Sequence, residues 1–346
     1  MASSVDAPVR AGYWYCHSEF PIPMASIPSQ LFTHIFAASA DVNPHTYEVT
    51  FPEKYKDQFS TFTQTVQRKN ENVKTLLSIG GDYTSDPATT LASMVSHRNT
   101  RKSFIDSSIS VARSNIFHGL SLNWIYPSTA SDMINLGCLL NEWRAVVKKE
   151  SEWSGMDQLL LVVAVNFEPT YRSLSYPVDA ISRNLDWINV WAFDFGVYTP
   201  DLSWTVTGPF ATLKNRDYPQ YSGDYGVKTW LAANVPAKKI VLGLPFYGYG
   251  WRLEDPNNPS PFPPADGPAD GVLFAADGAI LYKQIVFFEN TNPPEFLPNY
   301  VVDIYRYGNT WIAYNDTPSI TAKVRYAYEK KELLGYFAWH LGGDRP

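Results

Sequence analysis

Short apolar runs recur along the chain with longer amphipathic or polar stretches between them, a spacing that predicts repeated β–α units around a parallel sheet. Eight runs read as strands: VRAGYWY (9–15), FTHIFAASA (32–40), VKTLLSIGG (73–81), FHGLSLNWIY (117–126), LLLVVAVN (159–166), WINVWAFDF (187–195), KIVLGLPFYG (239–248) and LLGYFAWHLG (333–342). Segments long enough for a crossover helix separate most of them, including 97–114 and 131–150, the latter with Ser131 or Asp132 as its expected N-cap. The interval from 251 to 320 breaks the pattern, with a Pro/Gly-rich stretch, DPNNPSPFPPADGPADG, followed by strand-like alternation in VVDIYRYGNTWIAYND. The expected architecture is therefore an α/β chain: a (β/α)8 TIM barrel from 1–250 and 321–346, with a small α+β insertion domain, 251–320, between the seventh and eighth strands.

In such a barrel the chemistry gathers at the C-terminal ends of the strands. Side chains alternate along a strand, so if Leu120, Leu122 and Trp124 face the surrounding helices, Ser121, Asn123 and Ile125 step from the interior toward the mouth. His118 has the other parity and reads as a structural histidine near a strand start.

Composition narrows the function classes. The 28 basic and 34 acidic residues leave a net charge of -6 with no long Lys/Arg run, which argues against nucleic acid as a partner. No stretch approaches the roughly 20 apolar residues of a membrane span, and the N-terminal MASSVDAPVR lacks the apolar core of a secretory signal, as expected of a mature form. The six histidines are scattered, and neither metal-ligand spacings nor a glycine-rich phosphate loop is present, so no metal or cofactor is expected. Cys16 and Cys138 are equally readable as a pair or as two thiols. One glycosylation sequon occurs, Asn315-Asp316-Thr317. Aromatic residues make up 15% of the chain, a share suited to stacking against sugar rings.

GYW after residue 11, FTHIFAASADVN, TLLSIGG, GLSLNWIYP, LDWINVWAFDF, KIVLGLPFYGYGWRL, TWIAYND and GYFAWHLGGD together resemble the family 18 glycoside hydrolases, above all the plant class V chitinases, over nearly the whole chain. That resemblance implies a fourth-strand motif D-G-x-D-x-D-W-E whose final Glu protonates the glycosidic oxygen, while the substrate's own acetamido oxygen attacks the anomeric carbon. Here His118, Ser121 and Asn123 stand at the three Asp positions and Ile125 at the Glu. On the sixth strand the family's M-x-Y-D is replaced by Trp191, Ala192, Phe193 and Asp194, so the hydroxyl that orients the acetamido group is missing at Phe193. Acid catalysis supplies about 10²- to 10⁴-fold and electrostatic orientation comparable factors, so no meaningful chitinase activity is expected. Asp194 has lost the acidic neighbours that would raise its pKa; an ionised acceptor is expected there, with a residual catalytic role as the alternative.

What the resemblance leaves at the mouth is aromatic. Trp339 matches the family's sugar-stacking floor, and Tyr13, Tyr247, Tyr249 and Trp251 lie at or just beyond other strand ends, with Trp191, Phe193 and Asp194 completing the candidate ligand-binding set. Trp191, larger than the methionine it replaces, is expected to plug part of the pocket near Ser121. The leading expectation is a non-catalytic lectin or receptor ectodomain binding chitin-type oligosaccharides or another glycan. The alternatives are a glycosidase inhibitor or storage protein, with a protein partner or none, and a re-purposed enzyme acting on a small apolar or aromatic substrate at Ile125, Trp191, Phe193 and Asp194. The resemblance also implies secretion or vacuolar storage and a role in defence.

Overall fold

The computed structural model describes residues 8–18, 22–81, 87–195, 207–288 and 293–344. All eight expected strands form: β1 (Val9–Tyr15), β2 (His34–Val42), β3 (Lys74–Ile79), β4 (Gly119–Asn123), β5 (Leu160–Asn166), β6 (Trp187–Trp191), β7 (Ile240–Pro245) and β8 (Gly335–Trp339). Each pairs in parallel with its sequence neighbour, and β1 pairs with both β2 and β8, which closes the sheet into a barrel. Closure is tightest at Gly335, where an added Cβ would lie 1.8 Å from the Val9 carbonyl oxygen; only glycine lets β8 approach β1 so closely.

The strand alternation sorts side chains into two layers. Leu120, Leu122, Trp124, Leu161, Val163 and Val165 pack outward against the helices. Leu160, Val162, Ala164, Leu76 and Phe36 fill the barrel interior. Gly243 on β7 makes room there, since a Cβ would stand 2.7 Å from the Phe193 ring and 2.8 Å from that of Phe337.

The two helices expected over 97–114 and 131–150 form as Arg98–Ser114 and Ala130–Ser154. The N-cap of the second is Thr129, not Ser131 or Asp132: the Thr129 hydroxyl accepts from the Asp132 amide at 3.0 Å and the Asp132 carboxylate accepts from the Thr129 amide at 3.0 Å. This reciprocal pair needs a spacing of three, which Thr129 and Asp132 satisfy.

The second sheet lies between β7 and β8, in the order 265–268, 247–253, 310–314, 302–307, 295–297, with 279–281 pairing to 247–253. It begins at Tyr247 and not at 251. The seventh expected run, 239–248, is in fact two strands: the chain leaves the barrel at Phe246, whose amide donates to the Trp339 carbonyl at 2.7 Å, and then turns into the antiparallel sheet. The Pro-rich stretch is bound to that sheet by Arg306, which donates to the Asn258 carbonyl at 2.7 Å and to the Ser260 carbonyl.

Cys16 and Cys138 are both free thiols. Burial pushes the Cys16 thiol up to about 12, which leaves it protonated and inert. Asn315 of the sequon is only 4% exposed, and its side-chain oxygen accepts from the buried Lys323 ammonium, so it presents no acceptor on the folded surface. No helix among the described residues is long and apolar enough to cross a membrane.

Candidate functional site

The mouth is built from the residues that follow each barrel strand. At its floor stands Trp339, half-buried at the end of β8, with ring centroids 4.6 Å from Trp191, 5.1 Å from Tyr13 and 5.5 Å from Tyr15. Trp191 ends β6 and is 7% exposed; its ring also meets Phe193 at 4.8 Å and Phe337 at 5.7 Å. Tyr13, Tyr15, Trp191, Phe337 and Trp339 point inward because each has the inward parity of its strand, and aromatic residues of three strands, β1, β6 and β8, converge there. The chamber beneath Trp339 is thereby filled with rings.

Several expected ligand-facing residues lie deeper than the mouth. Tyr13 is 0% exposed: it stacks on Phe36 at 4.4 Å and its hydroxyl accepts from the Asn189 amide nitrogen at 2.7 Å. Burial raises its pKa and keeps the hydroxyl neutral. Tyr249 and Trp251 are enclosed as well, Tyr249 against Phe210 at 5.2 Å and Trp251 against Trp311 at 5.3 Å, because their strand belongs to the second sheet and turns these rings into packing. Phe193 is likewise buried. These four are enclosed by other side chains; among the expected set, Trp339, Tyr247 and Asp194 retain exposed surface, and Trp191 a sliver.

Asp194 follows β6 with φ 64°, in the left-handed region that tolerates aspartate better than most residues. Its carboxylate accepts from the Tyr247 hydroxyl at 2.5 Å, so the two form the polar pair of an otherwise aromatic floor. Phe210 packs on Tyr247 at 5.5 Å, and its carbonyl accepts from the Phe195 amide at 2.7 Å, which fixes the pair from behind.

The fourth-strand residues take the expected parity. Ser121 is fully buried in the interior, level with Ser78 on β3. Asn123 ends β4 beside Gly81, where an added Cβ would sit 3.3 Å from the Asn123 side-chain nitrogen. Ile125 is half-buried and packs against the interior apolar cluster. Its carbonyl accepts from the Tyr176 hydroxyl, whose oxygen in turn accepts from the Asn166 amide at 3.1 Å, so this segment is held rigidly to β5. His118 lies at the opposite end of the barrel, just before β4, with Nδ1 3.0 Å from the Thr75 amide that donates to it. Burial, with Lys74 nearby, lowers its pKa, as suits a neutral structural imidazole far from the mouth.

Sequence reasoning missed the rim. His17 and Tyr55 meet at 5.2 Å, and Tyr126 and Tyr171 meet at 4.8 Å with the Arg172 guanidinium 5.3 Å from the Tyr171 ring centre. His17, Tyr126 and Arg172 lie in loops, Tyr55 closes the helical turn Glu53–Tyr55 and Tyr171 belongs to the two-residue strand Thr170–Tyr171, segments too short for period two or period 3.6 to mark a functional side. Glu168, after β5, is a half-buried carboxyl whose pKa is raised by burial. Among the described residues no cluster of three or more His, Cys, Asp or Glu is placed to hold a metal ion.

The chain as a whole has counterparts. The family described as Glycosyl hydrolases family 18 matches residues 9–344. A class V chitinase of Arabidopsis thaliana is 49% identical over 346 residues, covering 99% of this chain and 87% of that protein. A mutant class V chitinase from Nicotiana tobaccum in complex with NAG4 superposes with a TM-score of 0.91 at 43% identity, over 98% of this chain and 95% of that one. A chitinase-like agglutinin from Robinia pseudoacacia gives 0.87 at 45% identity, over 97% and 95%.

Proposed function

The chain belongs to glycosyl hydrolase family 18, and from that premise we propose that it holds N-acetylglucosamine-type glycans without cleaving them, as a lectin-like member. The observation that carries this reading is Ile125: two residues beyond the strand that would present the general acid stands an alkyl side chain packed against the interior apolar cluster. An alkyl group neither donates nor accepts a proton, so the leaving oxygen has no donor at this position. Phe193, buried beside Trp191, brings no hydroxyl to orient an acetamido group.

The binding half of the reading rests on the floor. Trp339 is half-buried and buttressed by Trp191 and Tyr13, and the half-buried, hydrogen-bonded Asp194–Tyr247 pair adds polar groups of the kind that recognise sugar hydroxyls. Relatives give it support: one structure of a class V chitinase is a complex with NAG4, and another similar protein is an agglutinin. The filled chamber disfavours the re-purposed enzyme, since Trp191, Phe193 and Phe337 occupy the space a small apolar substrate needs.

Retention on colloidal chitin, with elution by soluble chitin oligomers, tests the reading. Trp339→Ala is expected to pass through the same column. A wild-type protein that is not retained, yet captures a glycosidase, belongs instead to the inhibitor class.

A further inference from the structure

Two lysines each hold a pair of carbonyl oxygens. Lys239 stands just before β7, on the face away from the mouth, and donates to the Ser182 and Leu185 carbonyls at 2.7 Å each. Lys323 lies in the helix Thr317–Arg325, is 3% exposed, and donates to the Ala211 carbonyl and to the side-chain oxygen of Asn315. Its helix follows the second sheet, whereas Ala211 belongs to the segment after β6, so this ammonium ties the second sheet to the mouth of the barrel.

The neighbours of Ala211 are fastened as well. The Phe210 carbonyl accepts from the Phe195 amide at 2.7 Å, and the Thr212 hydroxyl donates to the Tyr300 carbonyl, which also accepts from the Leu213 amide at 3.1 Å. Phe210 is fully buried, with its ring 5.5 Å from that of Tyr247 and 5.2 Å from that of Tyr249. The Tyr247 hydroxyl in turn donates to Asp194 at 2.5 Å. A short path therefore runs from the Lys323 ammonium through Ala211 and Phe210 to the polar pair of the floor.

We propose that Lys323 is a positioning residue for the glycan floor: by fixing the Ala211 carbonyl it sets the Phe210 ring, and through that ring the Tyr247 hydroxyl against Asp194. The proposal rests on the glycan-binding reading above and makes the second sheet part of the floor's support.

The chemistry of the position favours this over simple filling of space. An ammonium is costly to bury, and an apolar chain of similar length would occupy the same volume without that cost. Burial accordingly lowers the Lys323 pKa, with the Asp303 carboxylate opposing the shift. Asp303 accepts from the Asp316 amide at 2.8 Å, and the Asp316 carboxylate accepts from the Tyr282 hydroxyl at 2.7 Å, so the cation belongs to an anchored network. What the ammonium adds is direction, with charge-assisted bonds to one acceptor on each side of the junction. In a close-packed interior a shift of Ala211 passes to Phe210 and is not absorbed.

Calorimetric titration with chitohexaose tests this on the wild-type protein, Lys323→Met, Tyr247→Phe, the double variant and Lys239→Met, at a temperature where circular dichroism shows each to be fully folded. Lys323→Met is expected to lose about fivefold in affinity, and the double variant should bind no more weakly than Tyr247→Phe alone, because residues in one network do not add. Lys239→Met removes a comparable pair of bonds far from the mouth; it should melt lower and keep the wild-type affinity. Lys323→Gln, with a shorter donor, takes the place of Lys323→Met should that chain not fold, with the same expected loss. Hydrogen exchange gives a second readout: the Phe195 amide should exchange faster in the Lys323 variant, while the amide of Leu242 within β7 is unchanged. Wild-type affinity in the Lys323 variant, or a loss that adds to that of Tyr247→Phe, overturns the proposal and leaves glycan binding intact. If the wild-type protein binds no hexamer, the glycan reading fails by itself; a faster Phe195 amide then still supports the path from Lys323 to Phe210, and an unchanged one overturns it.

Discussion

Trp191 and Trp339 stand with their ring centroids 4.6 Å apart at 60°, so the residue that fills the inner chamber also braces the floor of the cleft. The filled interior and the proposed binding floor thus share one contact, since Trp191 packs on both Phe337 and Trp339. Removing Trp339 should cost about 2 kcal/mol or more of glycan affinity, the scale of a central aromatic anchor. Trp191→Ala should leave Trp339 unsupported and weaken binding by a smaller factor, along with a loss of roughly 3 kcal/mol in folding stability. Titration of each variant with chitohexaose, beside urea melts, reads both numbers.

Restoring the acid alone should not restore cleavage. Ile125→Glu supplies a carboxyl, but Phe193 still lacks a hydroxyl and Trp191 still occupies the chamber. The single variant is expected to stay at background. Combining it with Phe193→Tyr, Trp191→Met, Ser121→Asp and Asn123→Asp should raise chitohexaose cleavage by about 10² or more over the single variant. Product analysis by chromatography decides. Ser121→Asp on its own places a carboxylate at a fully buried position and should lower the melting temperature.

Asn315 should carry no glycan. Its side chain is buried and accepts from Lys323, whose ammonium also donates to the Ala211 carbonyl. Intact-mass measurement of protein secreted from a glycosylating host should return the mass of the bare chain. Lys323→Ala, which opens this corner and strands two buried acceptors, should destabilise the fold by about 2 kcal/mol or more.

Stability should fall with acid over a defined window. Burial lowers the His340 pKa to about 4 and, with Lys74 and His118 nearby, that of His34 to about 3. Both imidazoles are neutral in the fold, and the unfolded chain binds more protons once the pH drops below about 6.5. Their contribution is therefore complete above that value and is lost progressively down to about 4 for His340 and about 3 for His34, with His340 worth about 3 kcal/mol. Urea midpoints at pH 7 and pH 4.5 should differ accordingly, and His34→Leu should flatten part of the slope.

The strands were legible because both layers of a barrel impose alternation, and Leu120, Ser121, Leu122 and Asn123 obey it. Their ends were less so. Alternation continues unbroken from β7 into Tyr247–Leu253, so nothing in the pattern announces that the chain changes sheets at Phe246. The aromatic residues near strand ends share one sequence signal and divide into two fates: Trp339 keeps a face open, while Tyr13, Tyr249 and Trp251 are covered by other rings. Which fate applies depends on what packs from elsewhere in the chain. His17, just after β1, and Tyr55, at the end of the helical turn Glu53–Tyr55, come together from separate parts of the chain, and no local pattern predicts their meeting.

The central claim, that this barrel grips chitin-type glycans and does not cut them, is tested most directly by titrating chitohexaose calorimetrically and analysing the same mixture for shorter oligomers after long incubation. Saturable heat with the hexamer recovered intact is the expected result. Shorter oligomers above the protein-free background would contradict the role given to Ile125, and the absence of heat would remove the glycan from the account.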